Sequence, residues 1–152
     1  MDVNYINPFL VAVQNVFDTM IEVPLQVGKP SIKRDTVVPH EISAIIGLSG
    51  SVTGSVVISL TESLALELAS SLLGEKFETV DEDCTDAIGE IANMVAGNAK
   101  TDFPGKEASI SVPSVVIGKH KVSYPSGLPI IIIPCSVGTG ELVLEVAIKP
   151  SE

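Results

Sequence analysis

Apolar residues recur along the chain with two different periods, and the switches between them mark out its elements. Between residues 8 and 20 they fall at Phe9, Ala12, Val13, Val16, Phe17 and Met20, which line one side of a 3.6-residue helix. Asn7 and Pro8 predict the start of that helix or a point shortly after it, because asparagine caps and proline suits a first turn. From Val23 to Leu60 the period shortens to two. The segments "LQVGKP", "SIKRDTVVP", "EISAIIGLSG" and "GSVVISL" predict strands, and "GSVTG" at 50–54 predicts a hairpin connection. A second helix follows in "ESLALELASSLLGE", capped by Thr61 and stopped at Gly74, where glycine takes a left-handed conformation most cheaply. A third is predicted to run to about Lys100. Thr79 and Glu82 form its capping box, and the acidic run Asp81, Glu82, Asp83 suits the positive end of the helix dipole. Beyond "TDFPGKE" the strand pattern returns in "ASISVPSVVIG", "HKVSY", "PIIIIPCSV" and "ELVLEVAIK".

Helix, strands, two helices and strands again, without regular βαβ alternation, predict an α+β fold. The expectation is one domain over residues 1–152, a largely antiparallel sheet packed against about three helices. A chain of 152 residues that is 45% hydrophobic suffices for one well-filled core. "PIIIIP" reads as a buried strand with prolines at its ends.

Charge narrows the partners. A formal charge of -10 with only nine Lys and Arg argues against nucleic acid or an anionic membrane surface, both of which demand a basic footprint. A protein or a small molecule is expected instead. No apolar run approaches the roughly 20 residues of a membrane helix, and "MDVNYINPF" shows no secretory pattern. Cys84 and Cys135 lack any CxxC companion, as reduced, buried thiols in a cytoplasmic protein do. His40 and His120 have no ligand-spaced partner and read as surface residues. No P-loop, GxGxxG or GxSxG is present.

The chemistry sits in "DAIGEIANMVAGNAK", residues 86–100. On a helix, Ile88, Ile91, Ala92, Val95 and Ala99 share the buried sector, and Asp86, Glu90, Asn93 and Gly97 form a stripe opposite them. Ala87, Gly89, Met94 and Ala96 border the stripe, so nothing long crowds Glu90 and Asn93. A helix-interior glycine costs about 1 kcal/mol relative to alanine. Close approach of another surface would justify Gly89 and Gly97.

At these residues the chain resembles the CheC, CheX and FliY phosphatases of bacterial chemotaxis, and among them the short, single-site CheX branch. Their helix bears an acidic or serine residue, then Glu, then Asn three residues on, with a proline further downstream. Asp86, Glu90 and Asn93 match in register, and Pro113 fills the downstream position. The likeness extends to "NPF" at 7–9, "GSVTGSVVISL" at 50–60 and "NMVAGNAK" at 93–100.

The resemblance implies hydrolysis of the aspartyl phosphate of a CheY-like response regulator. Such a regulator holds the phosphoaspartate, a Mg2+ ion and a lysine in its own pocket, so this chain needs no cofactor of its own. Positioning and electrostatics supply most of the rate in phosphoryl transfer. A carboxamide both donates and accepts, so Asn93 could orient the attacking water, and Glu90 would engage the regulator's lysine. A solvent-exposed carboxylate is a weak general base at neutral pH, which suits Glu90 to anchoring. Asp86, Gly89, Met94 and Gly97 are then expected to meet the partner. The rival from another class is a non-catalytic docking module for a phosphorylated regulator or a flagellar-switch component. Two-site relatives carry a second ExxN on the first helix, and "NPFLVAVQNVFDTM" has none. The resemblance also implies a homodimer, for which "PIIIIP" and "GELVLEVAI" are apolar strands able to pair at a sheet edge.

Overall fold

The structure, a computed structural model, describes residues 3–33, 40–105, 107–125, 127–138 and 140–151. Its elements are α1 (Val3–Thr19), β1 (Leu25–Val27), β2 (Ser31–Lys33), β3 (Ile42–Gly50), β4 (Val52–Leu60), α2 (Glu62–Leu73), α3 (Glu82–Lys100), β5 (Ala108–Ile110), β6 (Ser114–Ile117), β7 (Ile130–Val137) and β8 (Gly140–Pro150). Three helices and an eight-stranded antiparallel sheet make the α+β architecture the sequence predicts. The strand order is β1-β7-β8-β4-β3-β5, with β2 also on β7 and β6 also on β3. One edge is therefore β1 and β2, the other β5 and β6.

Local chemistry explains most element ends. Thr61 caps α2 by accepting from the Leu64 amide, and Gly74 ends it at φ 70°. Helix α1 begins earlier than Pro8 because Tyr5 and Ile6 are buried and Tyr5 meets the Phe103 ring edge-on at 5.5 Å. That burial outweighs the backbone hydrogen bond Pro8 cannot donate. Met20, predicted for the apolar stripe, lies beyond the helix and is exposed. Strand β4 starts at Val52, so Gly54 lies inside the ladder and not in the connection.

The helices cover one face of the sheet, where Phe9, Phe17, Leu64, Leu68, Ile46, Leu60, Ile133 and Leu144 are fully buried. The opposite face is closed too. There Ser43, Ser59 and Glu145 are buried among Val57, Val143 and Ala147, and Glu145 is paired with Lys33 of β2. Instead of a strand, "HKVSY" contributes an isolated bridge and a strap across this face. His120 holds the strap: its Nε2 lies 2.8 Å from Ser43 Oγ and its Nδ1 2.6 Å from the Gly118 carbonyl.

"PIIIIP" and "ELVLEVAI" lie in β7 and β8, which are interior strands paired on both sides, so neither offers an edge. Pro134 is tolerated within β7 because it faces the interruption between β1 and β2, where its carbonyl accepts from the Gly28 amide at 2.7 Å. Of the strand predicted at 31–39, residues 34–39 lie outside the described residues.

Both cysteines are free and buried. Burial pushes the Cys135 thiol up to about 12, and burial together with the charges of Asp81 and Glu62 raises that of Cys84. Iodoacetamide at pH 8 should therefore leave the folded protein unmodified and label both thiols after denaturation; rapid labelling without unfolding would contradict this. The unfolded thiols ionise more readily than the folded ones, so stability is full below the ordinary thiol range and declines as pH rises beyond about 8.5.

Candidate functional site

Helix α3 is fixed at its start by Asp81, whose carboxylate accepts from the Cys84 amide at 2.9 Å. The predicted Thr79–Glu82 capping box is not formed, because Asp81 occupies the N-cap and Glu82 is already the first helical residue. The helix packs against α1, α2, β3, β5 and β6. It is embedded on several sides, and nine of its nineteen residues are buried. Ile88, Ile91, Ala92, Val95 and Ala99 are among them, as predicted. Ala87, Gly89 and Ala96 are buried as well, so the inward arc covers about 200° of the helix and leaves only a narrow ridge outside. Asp86 and Glu90 are exposed on that ridge, and Asn93 and Gly97 are half-buried.

Gly89 has an intramolecular cause. A Cβ on Gly89 would stand 3.1 Å from Pro113 Cγ, and one on Gly97 would lie 3.9 Å from Ile110 Cδ1. The chain's own β5–β6 edge thus approaches closely at Gly89, whereas at Gly97 an added carbon would make only an ordinary contact. Met94 is half-buried and packs on the core. Beside the ridge lies a cleft of about 320 Å³ lined by Thr85, Asp86, Gly89, Pro113, Val115 and Ile117. Sequence reasoning missed Thr85, Val115 and Ile117; the proline interrupting alternation in "SVPSVV" was the available signal.

Glu90 and Asn93, three residues apart, have neighbouring Cβ atoms about 5–6 Å apart on the outer surface of the helix. Asn93 Oδ1 is buried and has no hydrogen-bond partner. A buried acceptor without a partner costs about 1–3 kcal/mol. The pair thus offers an anion, an acceptor and two donors on a firmly packed helix. It offers no nucleophile with an adjacent base.

The histidines are not the surface residues predicted. His120 is bound to Ser43, and His40 is largely buried, 3.7 Å from Glu141. A larger cleft of about 560 Å³ near His40, Thr61 and Glu141 shares no residue with the ridge. Among the described residues no group of three or more His, Cys, Asp or Glu could hold a metal ion, and no helix is long and apolar enough to cross a membrane.

A family model described as chemotaxis phosphatase CheX matches residues 42–136. The chain is 31% identical over 144 residues to the CheY-P phosphatase CheX of Thermotoga maritima, covering 93% of this chain and 92% of that protein. A CheC-like superfamily protein from a Shewanella species superposes with a TM-score of 0.88 at 39% identity, over 98% of this chain and 99% of its own. A chain of the CheX–CheY–BeF3–Mg2+ complex from Borrelia burgdorferi superposes at 0.83 and 31% identity, over 95% and 97%.

Proposed function

The chain belongs to the CheX family of chemotaxis phosphatases, and from that premise we propose that it hydrolyses the aspartyl phosphate of a CheY-like response regulator. In this reading the α3 ridge enters the regulator's phosphorylation pocket. Asn93 orients the attacking water in line with the phosphorus, and Glu90 engages the regulator's lysine. The protein contributes no cofactor, and the Mg2+ that neutralises phosphoryl charge comes with the regulator.

The observation that carries the proposal is the Asn93 carboxamide, held on the outer side of a firmly packed helix with its oxygen unpaired. A group kept at such a cost, beside an exposed carboxylate, is what positioning catalysis requires. Asp86, on the same ridge, also lines the adjoining cleft. Each chain is expected to have one such site.

Mixing the protein with phosphorylated receiver domains and following phosphate loss tests the reading. A phosphatase accelerates the loss catalytically, at enzyme concentrations far below those of the regulator. A docking module leaves it unchanged or slows it, and that result would overturn the proposal.

The same reading expects a homodimer, for which the sheet has two edges, β1–β2 and β5–β6. Only an arrangement that leaves the α3 ridge open is compatible with catalysis. Light scattering at tens of micromolar should return twice the chain mass, and a monomer mass would refute the dimer.

A further inference from the structure

Strands β5 and β6 lie end to end along β3, but their registers differ by one. Ile110 pairs with Leu48, whereas Ser114 pairs with Ile45. Three residues, 111–113, thus oppose only Ile46 and Gly47, which makes the edge a β-bulge. Ser111 pins it. Its amide donates to the Gly47 carbonyl at 2.9 Å, its Oγ accepts from the Gly47 amide at 2.9 Å, and the same hydroxyl donates to the Val112 carbonyl at 2.9 Å.

The bulge has two results. Pro113 is pressed onto Gly89, the residue preceding Glu90, and Val112 is turned out into water at 83% exposure. Ile117, 54% exposed, lines the separate cleft beside Asp86, farther along the same edge. A lone exposed valine needs no explanation. One held out by a pinned bulge, next to the ridge that carries Glu90 and Asn93, has a use.

A specific interface covers about 800 Å² on each partner, a disc about 16 Å in radius. Ile110 and Pro113, which flank Val112 along the edge, lie toward Gly97 and Gly89, so a regulator centred on Glu90 and Asn93 reaches the bulge. Apolar contact beside the ridge can add to the affinity that Glu90 supplies by engaging the regulator's lysine. The bulge and Pro113 also blunt this edge against strand pairing with a second copy, which favours β1–β2 for a dimer.

We propose that Val112 is a specificity-determining contact that docks an apolar patch of the response regulator bordering its phosphorylation pocket. The inference rests on the proposed function. It gives the bulge two tasks, supporting the helix through Pro113 and presenting Val112 to the substrate protein.

The test compares wild type, Val112→Asp and Val112→Leu in the full chain. Affinity is measured by calorimetry for a receiver domain loaded with beryllofluoride and Mg2+, alongside KM, kcat, the thermal midpoint and the oligomeric mass. Val112→Asp should raise Kd and KM about 10-fold with kcat at saturation and the midpoint unchanged, and Val112→Leu should restore both constants. A Kd within twofold of wild type overturns the inference. So does a Val112→Asp protein that changes oligomeric mass but binds the regulator normally, since the occupant is then a second copy. If wild type binds the regulator without turning it over, the phosphatase reading falls while the affinity loss still decides this one. If wild type binds no regulator, both fall.

Discussion

Asn93→Ala is expected to lower kcat for regulator dephosphorylation on the order of 100-fold, with KM little changed and the fold no less stable. A loss of that size corresponds to about 2.7 kcal/mol of transition-state stabilisation, the scale of one well-placed polar group. The stability expectation is unusual for an interior-leaning residue and follows from one atom. Asn93 Oδ1 is buried without a partner, so truncation removes an unsatisfied acceptor and breaks no hydrogen bond. Alanine is also the better helix former. A gain of about 1 kcal/mol would raise the thermal midpoint by about 2–4 °C. Activity down and stability level or up is the mark of a residue retained for function at a cost to the fold. Glu90→Ala should differ. Its carboxylate is exposed, so stability changes by no more than about 0.5 kcal/mol. Weaker engagement of the regulator's lysine should raise KM. Steady-state kinetics and melting curves on both variants decide the matter: if Asn93→Ala turns over at the wild-type rate, the ridge is a docking surface and the catalytic reading is wrong.

The ridge itself was legible because it depends only on the 3.6-residue period. Glu90 and Asn93 fall opposite Ile88, Ile91 and Val95 on any α-helix, whatever surrounds it. Gly89 was not legible in the same way. The period assigns it to the flank of the stripe, and only the approach of Pro113 from a strand closer to the C-terminus shows that the glycine is buried there. One apolar sector is what a helical wheel reveals, yet α3 is enclosed by two helices and a sheet edge, and alanines and glycines serve contacts that hydrophobicity does not mark.

Strand order was the other gap. "PIIIIP" and "GELVLEVAI" are apolar because β7 and β8 are buried on both faces at the centre of the sheet, and nothing local separates a central strand from an unprotected edge. The half-buried histidines escaped for a related reason. His120 looks like a turn residue until Ser43, far away in sequence, is brought within hydrogen-bond reach.

Gly54→Ala should have the largest effect on folding of any alanine substitution at a glycine, although "GSVTG" reads as a tolerant turn. Gly54 lies in β4, paired with Leu48 of β3 on one side and Ile148 of β8 on the other, at φ 150°. A Cβ there would stand 2.0 Å from the Ala147 carbonyl oxygen and 2.7 Å from Ile148 Cα. Both are backbone atoms, so no side-chain rotation relieves the overlap. Strand β8 must move away and give up part of its ladder with β4, in the middle of the sheet. A cost of at least about 4 kcal/mol puts the variant in the rare, severe class of substitutions and removes much of a typical domain's 5–15 kcal/mol. The midpoint should fall by roughly 8–16 °C, if the variant is recovered folded at all. Gly74→Ala is the control. Gly74 has φ 70° with no heavy atom within 4 Å of the added carbon, so only the left-handed backbone penalty of about 1–2 kcal/mol applies. Because β3 is held by β4 and carries the β5–β6 edge that presses Pro113 onto Gly89, a shifted β8 should also disturb the α3 ridge. Melting both variants by far-UV circular dichroism tests the argument, and a Gly54→Ala midpoint within about 2 °C of wild type, less than 1 kcal/mol, would show that the sheet yields at this point without cost.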